Sequence, residues 1–266
     1  MKKFLTGLFI VAAVALIGVS AWQIIKILQE RYISREEYDR ARESYVSAIQ
    51  PKEKEEGEEE DDPFPDLEID IKGLLAENPD FVSWLYYEDA KINYPVVQEN
   101  SVDVNKYLKT TFNGTENSAG CVFIPYDADP AFRYKNTFLY GHNMKDGSMF
   151  GGMKNVYRKP AEAKDPYFYM WTKDYEVIRY RVVAAYVVDY DSEMYSIPLT
   201  DEAYQEYLAA ALKLGAMDSY VPFTEEETTA MEECSPIVSL STCYGSAGTS
   251  KRLLIQGVEI ERRNVQ

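Results

Sequence analysis

A long apolar run occupies the start of the chain, from Phe4 to Ile25. Polar side chains interrupt it at only a few positions: Thr6, Ser20 and Gln23. A helix rises about 1.5 Å per residue, so the run would span about 33 Å, close to a bilayer core of about 30 Å. The pattern therefore predicts a transmembrane signal anchor over residues 1–28.

The flanks of the apolar run bear on its orientation. Lys2 and Lys3 precede it, which favours a cytoplasmic N-terminus and places the rest of the chain outside the cell. A cleaved signal peptide is the alternative, because Val19-Ser20-Ala21 has the small residues of a cleavage site. The apolar pattern continues past Ala21 to Leu28, and this favours an uncleaved, single-pass anchor in the cell membrane.

Residues 29–62 combine a helical pattern with a highly charged run. Ser34-Arg-Glu-Glu37 fits a capping box, which predicts a helix from Ser34 to about Ile49. The run from Lys52 to Asp62 holds eight acidic residues and two lysines. Such a run repels itself and stays solvated, so we expect a helical and acidic stalk that acts as a spacer. An acidic recruitment site is the alternative for the same run.

The pattern changes at Pro63, and residues 63–266 are predicted to form one compact domain. Short runs rich in valine, isoleucine and aromatic residues recur along it and predict strands. The clearest are 92–98, 121–124, 137–140, 176–188, 237–242 and 252–260. The stretch from Asp70 to Leu85 predicts a short helix, a turn at Asn78-Pro79, and then a helical turn or a strand.

One long helix interrupts the strands, from a Thr200 cap to Gly215. Its apolar side chains fall on one face: Tyr204, Tyr207, Leu208, Ala211 and Leu212. The expected fold is therefore mostly β and mostly antiparallel, a closed barrel with a few helices.

The charge and composition of the chain limit the classes of partner it can bind. The chain has 28 basic and 44 acidic residues, for a net charge of −16. Nucleic-acid binding requires a basic face, so we expect no nucleic-acid partner. The 22 tyrosines agree with a β-rich domain.

Three cysteines are present, Cys121, Cys234 and Cys243. Their spacing matches no zinc-binding pattern, so no metal site is expected. A disulfide between Cys121 and Cys234 is conceivable in an oxidising compartment, and burial of both as small apolar side chains is the alternative we favour.

His142 is the sole histidine, in the run Tyr140-Gly-His-Asn143 that follows a predicted strand. Cys243 ends another predicted strand, and Arg252 opens the next one after a short loop. Strand alternation places Ser241 on the same face as Cys243. A cysteine needs a nearby base or positive charge to become a thiolate nucleophile, and His142 and Arg252 can supply both.

These motifs resemble those of sortases, the cysteine transpeptidases of Gram-positive cell surfaces. Leu240-Ser-Thr-Cys243 resembles the family's Thr-Leu-x-Thr-Cys signature, with Ser239 in place of the first threonine. The histidine and arginine segments also match in order. Further similarity to class B sortases comes from Trp84, the run Tyr94-Pro-Val-Val-Gln98, the run Asn105-Lys-Tyr-Leu108 and the long helix from Asp201.

The resemblance implies a sortase-type barrel of about eight strands with N-terminal helices and a helix in the long loop before the seventh strand. It implies that Cys243 attacks a threonine carbonyl in a C-terminal sorting signal and that His142 acts as general acid and base. Arg252 would polarise the carbonyl, and Leu108 and Ser241 would contact the bound signal. No cofactor is implied.

The implied partners are surface proteins bearing a sorting signal, of an Asn-Pro-x-Thr-Asn or Ser/Asn-Pro-x-Thr-Gly type, and an acceptor amine on a peptidoglycan precursor. A pilin amine, as in pilin-polymerising sortases, is the alternative acceptor. Two other readings stay open. Ser118-Ala-Gly-Cys121 superficially matches another cysteine-nucleophile motif, that of an L,D-transpeptidase-like or papain-like enzyme. The tyrosines and the acidic run also suit a non-enzymatic surface binding module.

Overall fold

A computed structural model describes residues 2–48, 62–163, 165–246 and 248–265. Within them lie ten strands: β1 (Val46–Ala48), β2 (Leu67–Ile69), β3 (Phe81–Tyr87), β4 (Ile92–Gln98), β5 (Val122–Ile124), β6 (Asn136–Tyr140), β7 (Tyr167–Thr172), β8 (Glu176–Asp189), β9 (Ile237–Cys243) and β10 (Lys251–Asn264). The α-helices are α1 (Lys2–Tyr45), α2 (Ile71–Glu77), α3 (Met153–Arg158), α4 (Asp201–Gly215) and α5 (Glu225–Glu232).

Eight of the strands close into a barrel in the order β10-β8-β7-β3-β4-β5-β6-β9. Two of the neighbouring pairs, β4 with β5 and β6 with β9, are parallel, and the others are antiparallel. The predicted closed, mostly β barrel is therefore confirmed. The long helix is also where it was expected, because α4 lies in the connection before β9, the seventh barrel strand in chain order.

The barrel and its outer layer have separate apolar cores. The larger cluster includes fully buried strand residues such as Val96 and Leu240. A second cluster lies between the outside of the barrel and α4, where Tyr204 and Ala211 pack over β8. The Thr200 hydroxyl caps α4 by accepting from the Ala203 N–H, as its sequence predicts.

The N-terminal helix differs from the prediction. α1 runs without a break through Ser34, so the predicted N-cap is wrong, and the Ser34 hydroxyl donates to the Arg31 carbonyl inside the helix. The Glu37 carboxylate instead accepts from the Thr111 hydroxyl and the Asn113 N–H. The face of α1 that carries Ser34 and Glu37 is buried against the barrel. Because the helix continues before Ser34, the backbone N–H groups after Ser34 bond within the helix and need no cap.

The C-terminal part of α1 packs directly on the domain. The Tyr38 hydroxyl donates to the Gly120 carbonyl at 2.5 Å, and the Ser118 hydroxyl donates to Glu30. β1 then pairs with β2, with Val46 opposite Ile69. The acidic run lies outside the described residues except for Asp62, but the strands on either side of it belong to one hairpin. The helical part of the predicted stalk thus contacts the barrel.

Several elements have no counterpart in the prediction, among them β7 and α5. β7 is a continuous aromatic run without alternation, and α5 is short and acidic. A capping box at Thr224 and Glu227 starts α5, and Glu227 also lies 3.0 Å from the Nε of Arg181 on β8. Both side chains of this ion pair are almost fully buried, so α5 is fixed to the barrel by a contact between residues far apart in sequence.

Candidate active site

The candidate site forms where three strands end at one rim of the barrel. Cys243 is the last residue of β9 and is exposed, and Arg252 lies opposite it on β10. β6 runs parallel to β9, with Tyr140 beside Ser241, so the chain leaves β6 at the same rim. The register of three strands therefore brings the segment carrying His142 to the residues Cys243 and Arg252.

Hydrogen bonds tie the histidine segment to the cysteine strand. The Thr242 hydroxyl donates to the Gly141 carbonyl at 2.7 Å, and the Asn143 amide donates to the Cys243 carbonyl at 2.7 Å. Gly141 has a steric role as well, because a Cβ there would lie 2.9 Å from the ring of Phe150. These contacts fix the backbone on both sides of His142.

The ring of His142 has one defined partner. Its Nε2 lies 2.8 Å from the Leu108 carbonyl oxygen. A carbonyl only accepts, so this bond requires a proton on Nε2 and leaves Nδ1 as the nitrogen that gains or loses a proton. The predicted residue Leu108 thus acts on the histidine through its main chain, in addition to lining the groove described below.

Arg252 is held by its own loop and not by an acid. Its guanidinium donates to the carbonyls of Thr249 and Lys251 at 2.8 and 3.0 Å, and it lies 5.9 Å from the ring of Tyr190. Among the described residues it forms no ion pair, although the chain is rich in acids. Its remaining N–H donors and its charge are therefore available to a bound group.

A groove of about 640 Å³, here called the first groove, holds all five predicted site residues: Leu108, His142, Ser241, Cys243 and Arg252. Most of its other wall residues were not predicted from the sequence, and they are largely aromatic: Phe123, Tyr126, Tyr140, Tyr190 and Tyr195. Rings on neighbouring strands stack there, as Phe123 does on Tyr140 with centroids 5.6 Å apart. Strand register was the missing signal, since these residues are far apart in sequence.

Ser241 faces the groove but already has a partner. Its hydroxyl lies 2.7 Å from the hydroxyl of Tyr195. Burial raises the pKa of Tyr195, while this hydrogen bond and the charge of Arg252 oppose the rise. Tyr195 therefore stays a neutral phenol that can donate to a peptide carbonyl.

A second groove of about 460 Å³ opens on the other side of the same thiol. It shares His142 and Cys243 with the first groove and is also lined by Asn143 and by the loop that starts at Tyr244. The remaining lining residues are basic: Lys145, Lys154 and Arg158. Two separate groups can therefore approach Cys243 from different sides.

The other cysteines lie away from both grooves, and all three cysteines are free, so the conceivable Cys121–Cys234 disulfide is not formed. Cys121 is buried, and burial raises the pKa of its thiol to about 12. Such a thiol is inert at neutral pH, which argues against the rival site at Ser118-Ala-Gly-Cys121. Among the described residues, no group of three or more acidic, cysteine or histidine side chains could hold a metal ion.

Glu99 is an unusual wall residue of the first groove. It is 6% exposed, and its Oε1 is buried without a hydrogen-bond partner among the described residues. Burial raises the pKa of Glu99, the Asn105 N–H opposes the rise, and Asp103 adds to it. A carboxyl whose pKa is higher when folded costs stability as the pH rises above its unfolded value.

We expect Glu99→Gln to raise the free energy of unfolding at pH 7 by about 1 kcal/mol, because the neutral amide removes the cost of keeping a buried carboxylate charged. The gain should shrink as the pH falls toward about 4.3, where the unfolded carboxyl protonates. Urea unfolding at several pH values measures it. Glu206→Gln, at an exposed position of α4, is the matched control and should show no such trend. A gain that grows toward acidic pH would contradict the prediction.

Comparisons with known proteins agree with this geometry. A family model described as the sortase domain matches residues 85–260. Sortase B of Listeria monocytogenes is 31% identical over 195 residues, which cover 71% of this chain and 73% of that protein. Sortase B of Staphylococcus aureus is 24% identical over 257 residues, which cover 96% of each chain.

Solved structures show the same likeness. A crystal structure of sortase B from Bacillus anthracis superposes with a TM-score of 0.67 at 26% identity and covers 88% of this chain and all of that one. A substrate complex of Staphylococcus aureus sortase B, at 24% identity, gives a TM-score of 0.61 over 72% of this chain and 84% of that one, and so supports the fold. With the family model matching most of the chain, the protein belongs to the sortase family and is a sortase-type cysteine transpeptidase similar to class B.

Proposed function

We propose that this chain is a membrane-anchored, extracellular transpeptidase that cleaves a C-terminal sorting signal after a threonine and transfers the acyl group to a cell-wall amine. Cys243 carries the acyl group as a thioester. The observation that supports this most directly is the meeting of His142, Cys243 and Arg252 at one groove. That arrangement joins a nucleophile, a proton carrier and a fixed positive charge.

The first half of the reaction forms the thioester. The Cys243 thiolate attacks the threonine carbonyl, and the developing oxyanion accepts hydrogen bonds from the free donors of Arg252. The C–N bond then breaks, and protonated His142 gives its proton to the departing amine. Because Nε2 is held by Leu108, Nδ1 is the nitrogen that releases this proton.

The second half reverses these roles. The acceptor amine attacks the thioester carbonyl, neutral His142 takes the proton that the amine loses, and the C–S bond breaks to return the thiolate. While the acyl chain lies in the first groove, the second groove leaves a separate path to the sulfur. We propose an amine of a peptidoglycan precursor as the acceptor, with a pilin amine as the alternative.

The remaining wall residues suit an extended peptide. Leu108 offers apolar contact to the upstream part of the signal. Ser241 offers a hydroxyl two residues before Cys243 on the same face of β9. An apolar wall with few polar groups is typical of sites that orient a peptide segment.

Membrane attachment is assigned to α1. This helix is long and apolar enough to cross a bilayer, and its apolar part is not buried against the rest of the structure. A signal sequence would have the same properties, so retention of the N-terminal residues on the mature protein in membranes tests this part of the proposal. N-terminal sequencing of the mature membrane-bound protein should begin before Phe4.

Intact-protein mass spectrometry tests the reaction. We expect the protein mixed with a library of Asn-Pro-x-Thr-Asn and Asn-Pro-x-Thr-Gly peptides to gain the mass of the peptide portion that ends at threonine, and fragmentation should place it on Cys243. Hydroxylamine should release the adduct, since thioesters react with it. An adduct on Cys121 or Cys234, or none with any peptide, would contradict the proposal.

A further inference from the structure

The second groove has a charge that the proposed chemistry does not require. Its lining includes Lys145, Lys154 and Arg158 and no aspartate or glutamate. The whole chain carries 44 acidic and only 28 basic residues, so a lining with three cations and no acid runs against its composition. Such a surface attracts anions and repels cations.

These charges are not used to hold the fold. Among the described residues, Lys145 and Lys154 have no ion pair or hydrogen bond through their side chains. Arg158 donates to the hydroxyl of Tyr244 and lies 5.5 Å from its ring, without an acid. Lys154 and Arg158 are four residues apart on α3, and like charges at this spacing destabilise a helix. The placement therefore costs stability, and of the three cations only Arg158 gains an internal contact, with an uncharged ring.

The groove is also fixed in position beside the sulfur. Tyr157 of α3 packs edge-on against Tyr244, the residue after Cys243, with ring centroids 5.6 Å apart. The Asn143 amide holds the Cys243 carbonyl from the other side. These contacts hold α3, which carries Lys154 and Arg158, at a fixed position beside the thiol.

We propose that this basic groove binds an anionic group of the acceptor and so selects amines that carry a carboxylate or phosphate several bonds from the nitrogen. The inference rests on the proposed function, because it describes the second substrate of the same site. With the anion held by Lys145, Lys154 and Arg158, the amine nitrogen reaches the thioester carbonyl. The C–N bond forms, the C–S bond breaks with its electron pair on sulfur, and His142 takes the proton.

Matched acceptors test this with the full chain in detergent micelles and a donor peptide of the Asn-Pro-x-Thr-Gly type. One pair is ε-aminocaproate and its amide, and the other is aminohexyl phosphate and aminohexanol. The readout is the ratio of aminolysis to hydrolysis within each reaction, so a general loss of catalysis cancels. We expect the anionic member of at least one pair to be used about ten-fold better, the size of one or two exposed charge interactions. Preference for the carboxylate indicates a peptide acid, and preference for the phosphate indicates a lipid-linked phosphate.

The Lys145→Met/Lys154→Met double variant removes charge and keeps most of each side-chain stem. It should lose the preference through a higher KM for the anionic acceptor, and added salt should reduce the preference of the unmodified protein. Lys72→Met, at an exposed site on α2, is the control that should keep it. Equal use of charged and neutral acceptors, or a preference that survives in the double variant, would overturn the inference. If the donor peptide is not cleaved at all, the proposed function fails instead.

Discussion

Replacing Cys243 with alanine is expected to abolish both cleavage of the sorting signal and transfer to an amine. Alanine keeps the β9 backbone and removes the sulfur that forms the thioester in the proposed reaction. In enzymes with covalent intermediates, loss of the nucleophile lowers kcat by at least about 10³-fold. Fluorescence release from a quenched donor peptide measures cleavage, and mass spectrometry of products measures transfer.

Cys121→Ala is the matched control for this variant. Cys121 is fully buried beside Tyr38 and its thiol is held neutral, so its removal should leave turnover near that of the unmodified protein. Some loss of stability is expected, since its sulfur packs in the core, and turnover should be measured well below the unfolding temperature. The opposite pattern, with Cys121→Ala inactive and Cys243→Ala active, would move the site to the other cysteine.

A second large effect is expected at His142. Since it is the only histidine, no neighbouring imidazole can replace it. His142→Ala should lower kcat for cleavage by about 10²- to 10⁴-fold, the range of general acid–base catalysis. The loss should appear in kcat more than in KM, because in the proposed reaction the ring moves protons, and it forms only part of the groove wall.

His142→Gln separates proton transfer from positioning. A glutamine amide can donate to the Leu108 carbonyl as Nε2 does, but it does not titrate. We expect this variant to be nearly as inactive as His142→Ala. Near-normal turnover in His142→Gln would make the histidine a positioning residue, and near-normal turnover in His142→Ala would exclude a Cys–His mechanism.

The three central site residues could be predicted from sequence because each lies at a strand end. Alternation placed Ser241 with Cys243, and a short loop placed Arg252 opposite them. The position of His142 depends on the parallel pairing of β6 with β9, which the sequence did not predict. The family resemblance implied only that the histidine meets Cys243 and Arg252 at one groove. Strand pairing is non-local, so periodicity within one strand does not contain it.

The same limit explains what was missed. The aromatic wall of the first groove depends on register between strands, as in the stacking of Phe123 on Tyr140. The basic groove could not be predicted, because Lys145 and Lys154 belong to no sequence motif and come together only in the folded chain. At Ser34 the capping-box pattern predicted a helix start that does not form. Tyr38 and Ala41 on the same helix pack into the core, and this burial outweighs the local pattern.

The unbroken α1 helix has a consequence for how the enzyme meets its substrates. A flexible tether would let the barrel move and turn freely about its anchor, whereas a continuous helix restrains both its distance and its orientation. From Leu28 to Tyr45 the helix is about 25 Å long at 1.5 Å per residue, and from Glu30 onward it is bonded to the barrel. On the proposed anchoring, the active-site rim keeps a set height and heading above the bilayer, and the enzyme searches in two dimensions. Proteins that display their sorting signal at that height would be processed preferentially, whatever their solution affinity.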